Sequence, residues 1–264
     1  MKKLKFIIII YFLILLLLTI YFIVNVINIK ENFIHNKPKN HICYYTVFIG
    51  SNNNSAFKIP KLPSHYYDCY YYTNNKKLYD LLQNTKWKSK LLEIEMSDDE
   101  IKSAMDAKHL KARPDLYDDL NKYNYTVYFD SKLNLYCDKD IEKIIDTKMK
   151  QYPIILRRHN NLKNVREEYD EAITQERYKK EKDKYIAYIN KNLEKGLSPT
   201  TKNHYITGFI IRDNHSPIVK EINKTWYEHI LECGIECQIS FFFIQQIYSK
   251  YIGIIEFNEL NIKG

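Results

Sequence analysis

The chain has 264 residues, with 40 Lys and Arg against 32 Asp and Glu and a formal net charge of +8. Only six Gly occur and neither GxGxxG nor a GKS/T phosphate loop is present, which argues against a glycine-rich dinucleotide fold. The 24 Tyr and 12 Phe rule out a disordered composition.

Residues 6–27 are 22 in number and carry no charge, with Thr19 and Asn25 the conspicuous polar members. A helix of that length covers about 33 Å, enough to span the hydrocarbon core with some tilt. The run is too long and too rich in Leu and Ile for a cleaved signal peptide, and it lacks a small-residue cleavage site. Lys2, Lys3 and Lys5 precede it, whereas Lys30 is offset by Glu31, so the positive-inside rule keeps residues 1–5 cytosolic and sends the rest across. The expectation is a single-pass type II signal anchor of the secretory pathway, facing an endoplasmic-reticulum or Golgi-like lumen or an equivalent compartment. Residues 28–42 read as a short stem, 43–250 as one domain and 251–264 as a C-terminal tail. About 220 residues beyond the anchor suffice for one sizeable core. Four Lys flank the anchor, leaving 36 basic residues against 32 acidic, a balance too mild to indicate nucleic acid.

The domain alternates short apolar runs with charged helical stretches, the pattern of an α/β fold with a mainly parallel sheet flanked by helices. Residues 43–49 read as a strand that ends at Gly50, and 67–73 as a second, on which Asp68 is placed to accept a hydrogen bond from a base or ribose. Residues 87–94, with Lys88, Lys90, Glu93 and Glu95, suggest an edge strand. Ser97-Asp-Asp-Glu100 has the form of a capping box. The helix it opens ends before Pro114 and carries Lys108, Lys111 and Arg113; for Lys108 a solvated face is an equal reading.

Tyr125-Thr-Val-Tyr-Phe129 reads as a buried strand that stops abruptly at Asp130. Ligands of such sheets bind outside the carboxyl ends of the strands, so Asp130 either holds a ligand or simply terminates the strand. As a ligand holder it is expected in the largest polar cleft. Residues 151–158 form another strand, with His159 beyond it, and 165–192 a long charged helical stretch. Residues 191–202 read as a flexible loop able to close over a ligand. Gly208 inside the strand 205–212 marks a close approach. Ser216-Pro217 opens a further helix. The cysteines at 43, 69, 137, 233 and 237 are too irregularly spaced for zinc; one or two disulfides, or burial as small apolar residues, both stand. Asn53, Asn124 and Asn223 head glycosylation sequons, Asn124 beside a core strand.

An ordered series carries a resemblance: Tyr44-Tyr-Thr-Val-Phe-Ile-Gly50, Tyr67-Asp-Cys-Tyr-Tyr-Tyr-Thr73, Trp87-Lys88, Lys111 with Pro114, Asp130-Ser-Lys132, Leu156-Arg-Arg-His159, Glu171-Ala172, Gly208-Phe-Ile-Ile-Arg212 and Cys237-Gln-Ile-Ser-Phe241. Together, over about residues 43–248, these resemble the glycosyltransferase-like domain shared by two plant protein groups, one named for turgor regulation and one for seed mucilage. That domain is similar to nucleotide-diphospho-sugar transferases of the GT-A (Rossmann-like) type.

The resemblance implies a nucleotide-sugar donor and a glycan or glycoconjugate acceptor. It assigns Thr46, Phe48, Asp68, Lys111, Asp130 and Ser131 to donor binding, with Lys111 compensating diphosphate charge. Asp130 is the implied ligand of Mn2+ or Mg2+. Asp-Ser-Lys replaces the general Asp-x-Asp, so Lys132 substituting for part of the metal's charge is the alternative. Glu171 is the implied general base, following His159, and Gln238 helps position the acceptor. Where the family carries Arg-Asp-Gln, this chain has Glu236-Cys237-Gln238, and a thiol is not the same base. The sequence therefore points to a membrane-anchored glycosyltransferase. A catalytically silent, membrane-anchored module binding a glycan or partner is the alternative. A lipid amide (ceramide-like) hydrolase, implied by one branch of the family, is the third; no HExxH or local Ser/His/Asp arrangement supports it.

Overall fold

The computed structural model of the chain describes residues 14–23, 25, 41–53, 58–135, 138–159, 161–260 and 262–263. The chain divides into two units, Met1–Lys39 and Asn40–Gly264. In the first, residues 14–23 and 25 are helical, and the side chains of 14–23 are exposed. No helix of the described residues is long and apolar enough to cross a membrane. The remainder of the expected anchor at 6–27, the cytosolic tail at 1–5 and stem residues 28–40 lie outside the described residues.

The second unit is built on β1 (Ile42–Phe48), β2 (Asp68–Thr73), β3 (Lys88–Leu91), β4 (Tyr125–Phe129), β5 (Asn134–Leu135), β6 (Ile154–Arg158), β7 (Tyr205–Asp213), β8 (Ile252–Ile255) and β9 (Ile262–Lys263). Seven of these form one sheet in the order β3-β2-β1-β4-β7-β6-β8, while β5 and β9 pair separately. All neighbours in the large sheet are parallel except β7, which runs antiparallel to β4 and β6. The helices are α1 (Lys76–Leu82), α2 (Glu100–Ala112), α3 (Asp118–Asn121), α4 (Asp138–Lys148), α5 (Val165–Ala172), α6 (Glu176–Lys179), α7 (Lys182–Glu194), α8 (Pro217–Cys233) and α9 (Cys237–Ile247). An α/β domain with a mostly parallel sheet flanked by helices is what the chain forms.

The sequence of β1, ICYYTVF, has no polar alternation because both of its faces are covered. Cys43, Tyr45 and Val47 meet Leu110 of α2, Val219, Ile222, Trp226 and Ile230 of α8, and Phe241 and Ile244 of α9. Ile42, Tyr44 and Phe48 belong to the opposite layer, with Leu78 and Leu82 of α1 and Ile141, Ile144 and Ile145 of α4. A third cluster joins α5, α7 and α9 through Val165, Tyr185, Tyr188, Phe242 and Phe243. Several core tyrosines are tolerated because their hydroxyls find partners, although that of Tyr72 does not. Tyr44 donates to Asp138 Oδ1 at 2.7 Å, and Tyr70 and Tyr123 share a bond of 3.0 Å.

Several boundaries differ from expectation for physical reasons. The N-cap of α2 is Asp99, whose carboxylate accepts from the amides of Ile101 and Lys102, whereas Ser97 accepts from Asp99 N–H one step earlier. The stretch 165–192 is three helices: the buried positions Val165, Glu168 and Ala172 are roughly half a helical turn out of phase with Tyr178, Tyr185 and Asn192, so a single helix cannot bury them all. The expected tail beyond residue 250 supplies the edge strand β8. Cys233 closes α8 and Cys237 opens α9, so they do not share one helix face. Cys43, Cys69, Cys233 and Cys237 are free and buried, and no disulfide joins described residues; Cys137 lies outside them. Asn223 is 2% exposed and engaged with Arg212 and Asp115, so its sequon is shielded.

Arg212, 1% exposed, ties the layers together. Its guanidinium donates to Asn223 Oδ1 of α8 at 2.9 Å, to Tyr45 Oη of β1 at 3.0 Å and to the Lys111 carbonyl of α2 at 2.9 Å. Replacing it strands three acceptors in the interior. Arg212→Met is expected to lower the unfolding free energy by about 3 kcal/mol, read as a shift of the urea midpoint without a change of slope.

Candidate functional site

From β1 the sheet builds through β2 and β3 on one side, while β4 lies on the other, so the strand order reverses between β1 and β4. Open α/β sheets bind ligands outside the carboxyl ends of the strands at such a point. A cavity of about 330 Å³ opens there. Val47, Phe48 and Ile49 at the end of β1 form one wall, and Tyr128, Asp130 and Ser131 at the end of β4 another. The third is a single stripe of α2, Glu100, Ser103, Ala104, Ala107, Lys108 and Lys111, spaced by threes and fours. A larger hollow of about 660 Å³ lies by β8 and includes none of these residues, so the cleft holding Asp130 is not the largest.

At the centre, Lys111 is 2% exposed and places Nζ 3.3 Å from Asp130 Oδ1 and 3.4 Å from Thr207 Oγ1. Its ammonium also lies 5.1 Å from the Tyr128 ring centroid. The Tyr128 hydroxyl donates to the same Oδ1 at 2.6 Å. Because β7 is antiparallel, its first residues reach this rim, and the Asp130 amide donates to the Gly208 carbonyl at 2.9 Å. A Cβ at position 208 would stand 2.9 Å from Asp130 Oδ2, so glycine is what lets the carboxylate sit there. Burial pushes the Asp130 carboxyl up, but the charges of Lys111 and Lys108, the Tyr128 hydrogen bond and Lys132 together hold it well below the usual carboxylate range.

Four further cations line the cavity: Lys58, Lys108, Lys132 and Arg177. The guanidinium of Arg177 lies 4.4 Å from the Tyr178 ring centroid and donates to its hydroxyl at 2.6 Å. Burial lowers the Lys108 pKa, yet Cys237, Tyr178, Asp130 and Glu236 outweigh it and raise the net value, so Lys108 is held charged. With Lys111, five basic side chains stand against Glu100 and Asp130.

Beyond Thr207 a polar chain runs deeper. Thr207 Oγ1 lies 3.3 Å from Cys237 Sγ, and the Thr207 amide donates to Gln238 Oε1 at 3.3 Å. Gln238 Nε2 donates to Glu168 Oε1 at 2.8 Å, and Glu168 Oε2 meets His204 Nε2 at 2.6 Å. The His159 and His204 rings stand 5.3 Å apart. Burial raises Glu168, but the hydrogen bond and charge of His204 and the Gln238 bond bring it below its ordinary value. Burial and the charge of Glu168 raise Glu236, which caps α9 by accepting from Gln238 N–H at 3.0 Å.

The residues singled out from the sequence separate into groups. Phe48, Lys111, Asp130 and Ser131 converge on the cavity, and Gln238 joins them through Thr207. Thr46 lies further back in β1, wholly buried, with its hydroxyl unpartnered, and does not line the cavity. Asp68 begins β2 and so sits at the opposite rim of the parallel sheet, about 16 Å from the strand's other end. There it pairs with Lys88 at 2.6 Å and accepts from the Tyr123 hydroxyl, which rules out a shared ligand with Asp130. Glu171 is exposed on α5; Glu168, one turn earlier, is the carboxylate that faces inward. Sequence reasoning missed Glu168 among many acids, although Val165, Glu168 and Ala172 share a helical face. It also passed over Lys58, Arg177 and His204, which only the tertiary fold brings in.

The donor set does not suit a divalent cation. Asp130 Oδ1 already accepts from an ammonium and a phenol. No group of three or more His, Cys, Asp and Glu side chains among the described residues is arranged to hold a metal ion. Magnesium and manganese seek several oxygen ligands, and a lysine within hydrogen-bonding reach of the sole central carboxylate opposes one.

No protein-family model matches the chain. No curated protein matches it either. Among solved structures it is similar to mouse xyloside xylosyltransferase 1 in its apo form, at 10% identity and a TM-score of 0.44, covering 81% of this chain and 85% of that one. It is similar to the apo form of the bifunctional glycosyltransferase WbbM at 8% identity and a TM-score of 0.44, covering 82% of this chain and 39% of that one. It is also similar to the mannosyltransferase Ktr4p of S. cerevisiae, at 9% identity and a TM-score of 0.44, with 86% and 71% covered.

Two outcomes follow from the geometry around Asp130. Depressed carboxylates stabilise the fold above their unfolded-state pKa, about 3.9 for Asp, and that stability is lost as the pH falls through the lower folded value. The stability gap between the wild type and Asp130→Asn should therefore be full above about pH 5, begin to narrow as the pH drops below about 4, and close only at the far lower pH where the folded carboxyl itself takes up a proton, followed by urea midpoints across the series. Gly208→Ala should swing the Asp130 carboxylate away from Lys111. A crystal structure of the variant is expected to show that pair parted with β4 and β7 still in register.

Proposed function

We propose that this chain is a glycosyltransferase that moves a sugar from a nucleotide sugar to a glycan or glycoconjugate acceptor. The observation that carries this reading is the cavity at the carboxyl ends of β1 and β4, where a surplus of cations surrounds an apolar slot. Val47, Phe48 and Ile49 offer an apolar wall to the nucleoside, while Lys108 and Lys132 offer N–H donors to the diphosphate. The family resemblance over residues 43–248, with its GT-A-type fold, supports the same assignment.

In the reaction, the bond between the anomeric carbon and the diphosphate oxygen breaks, and the electron pair leaves with the diphosphate. Cations lining the cavity would stabilise the charge that develops there. An acceptor hydroxyl oxygen forms the new bond and passes its proton to a carboxylate. Glu236, near Lys108, is the carboxylate available beside the cleft, while Glu171, the base the resemblance implies, stands exposed on α5. Gln238, held between the Thr207 amide and Glu168, orients that wall. Anchoring through residues 6–27 and a lumenal domain complete the proposal, since a type II orientation would present the cleft to lumenal acceptors.

A silent binding module is the second reading, favoured by Cys237. Its thiol is 1% exposed against Thr207 and supplies no carboxylate where the family has one. A hydrolase is less well supported: the Glu168–His204 pair is buried, and His204 Nδ1 has no hydrogen-bond partner to act as nucleophile.

Calorimetry on the full-length protein in detergent, with UDP- and GDP-hexoses and with UDP and GDP alone, tests the reading. Binding of one nucleotide series is expected, and Lys108→Met should weaken it about tenfold or more, the loss of one charge-assisted contact. Lys77→Met, on the exposed face of α1, should leave it unchanged. Transfer to an acceptor separates enzyme from silent module, and absence of binding to every nucleotide would end the transferase assignment.

A further inference from the structure

We infer that the cleft holds the donor's diphosphate through basic side chains alone, without a divalent cation, an inference that rests on the nucleotide-sugar reading. A bridging metal at such a site needs carboxylates to spare, and this site has none at its centre. Lys111, 2% exposed, spends its charge on Asp130 at 3.3 Å. The pair is internally neutral, and Asp130 Oδ2 occupies space that a Cβ at position 208 would enter at 2.9 Å.

With that pair cancelled, Lys58, Lys108, Lys132 and Arg177 remain against Glu100. A nucleotide sugar's diphosphate bears two negative charges, so these four cations, less the charge of Glu100, more than offset it without any added ion. A metal between Asp130 and the phosphates would have to sit beside Lys111 and amid Lys108 and Lys132, where like charges repel it in a partly dehydrated cleft.

The placement of the cations supports the same division of labour. Lys108 and Lys111 lie one turn apart on the stripe of α2 that faces the cavity, Lys111 paired with Asp130 and Lys108 without an acid within hydrogen-bonding distance among the described residues. Lys132 follows Asp130 by two residues, at the position where a second carboxylate would complete an Asp-x-Asp pair. Charge inversion at that position converts a metal-binding step into a phosphate-binding one. Arg177, set against Tyr178 on α6, closes the cation ring from the far side with a planar donor suited to phosphate oxygens.

Calorimetric titration of the full-length protein with UDP and GDP, in excess EDTA and again in Mn2+, tests the inference. The expected result is binding in EDTA with an affinity within about threefold of that in Mn2+, together with a steep fall as salt rises. Lys132→Met, at an exposed position that leaves the fold intact, should lose about tenfold in EDTA. Binding seen only with Mn2+ overturns the inference and leaves the transferase assignment standing. Binding in EDTA that is indifferent to Lys132→Met and to salt overturns it too, since the cations would then carry none of the affinity. No binding in either condition overturns both.

Discussion

The ammonium of Lys111, almost removed from solvent, fixes the arrangement of everything around it. A buried cation is tolerated only when an opposite charge and hydrogen-bond acceptors meet it, and here Asp130 and Thr207 do so. Satisfying it requires β4 to end where it does, β7 to run antiparallel so that Thr207 and Gly208 reach the same rim, and α2 to lie across the mouth. Arg212 enforces the last of these by holding the Lys111 carbonyl from below. One network of buried charge thus sets the geometry of strand, helix and cleft together, and the cavity is what remains between them.

The same network explains why the cleft is basic. Lys111 and Asp130 cancel, so the character of the opening is decided by side chains around them rather than by the carboxylate at the centre. Those side chains come from four separate segments: the loop after β1, the outer turn of α2, the residues after β4, and α6. No one of them supplies the field alone. Their convergence gives a local field that the modest net charge of the domain conceals.

Much of the fold was legible because β1, β2, β4 and β7 are continuous apolar and aromatic runs bounded by Gly, Asn or Asp, the signature of strands covered on both faces. Asp130 stood out because it ends one of them. Asp68 looked equivalent in sequence, since each acid flanks a tyrosine-rich strand. The difference is that Asp130 follows its strand and Asp68 precedes its own, and in a parallel sheet that places them on opposite rims. Thr46 misses the cleft by a single step: Val47, the next residue of β1, is the first to line it. Glu168 was hidden by composition, because a stretch crowded with acids gives no clue to which one is buried unless the apolar phase of Val165 and Ala172 is followed.

Cys237 shows how one uncharged side chain bears on the charge balance of the cleft. A carboxylate at 237 would lie beside Thr207, within the electrostatic reach of Lys108, and would compete with Asp130 for the cations of the cleft. With a thiol there, that charge is absent; burial and Glu168 already raise the neighbouring Glu236, and a further carboxylate would raise it more. A thiol at 237 and the ammonium of Lys132 act in the same direction: each leaves the rim of the cavity with less negative charge around Asp130.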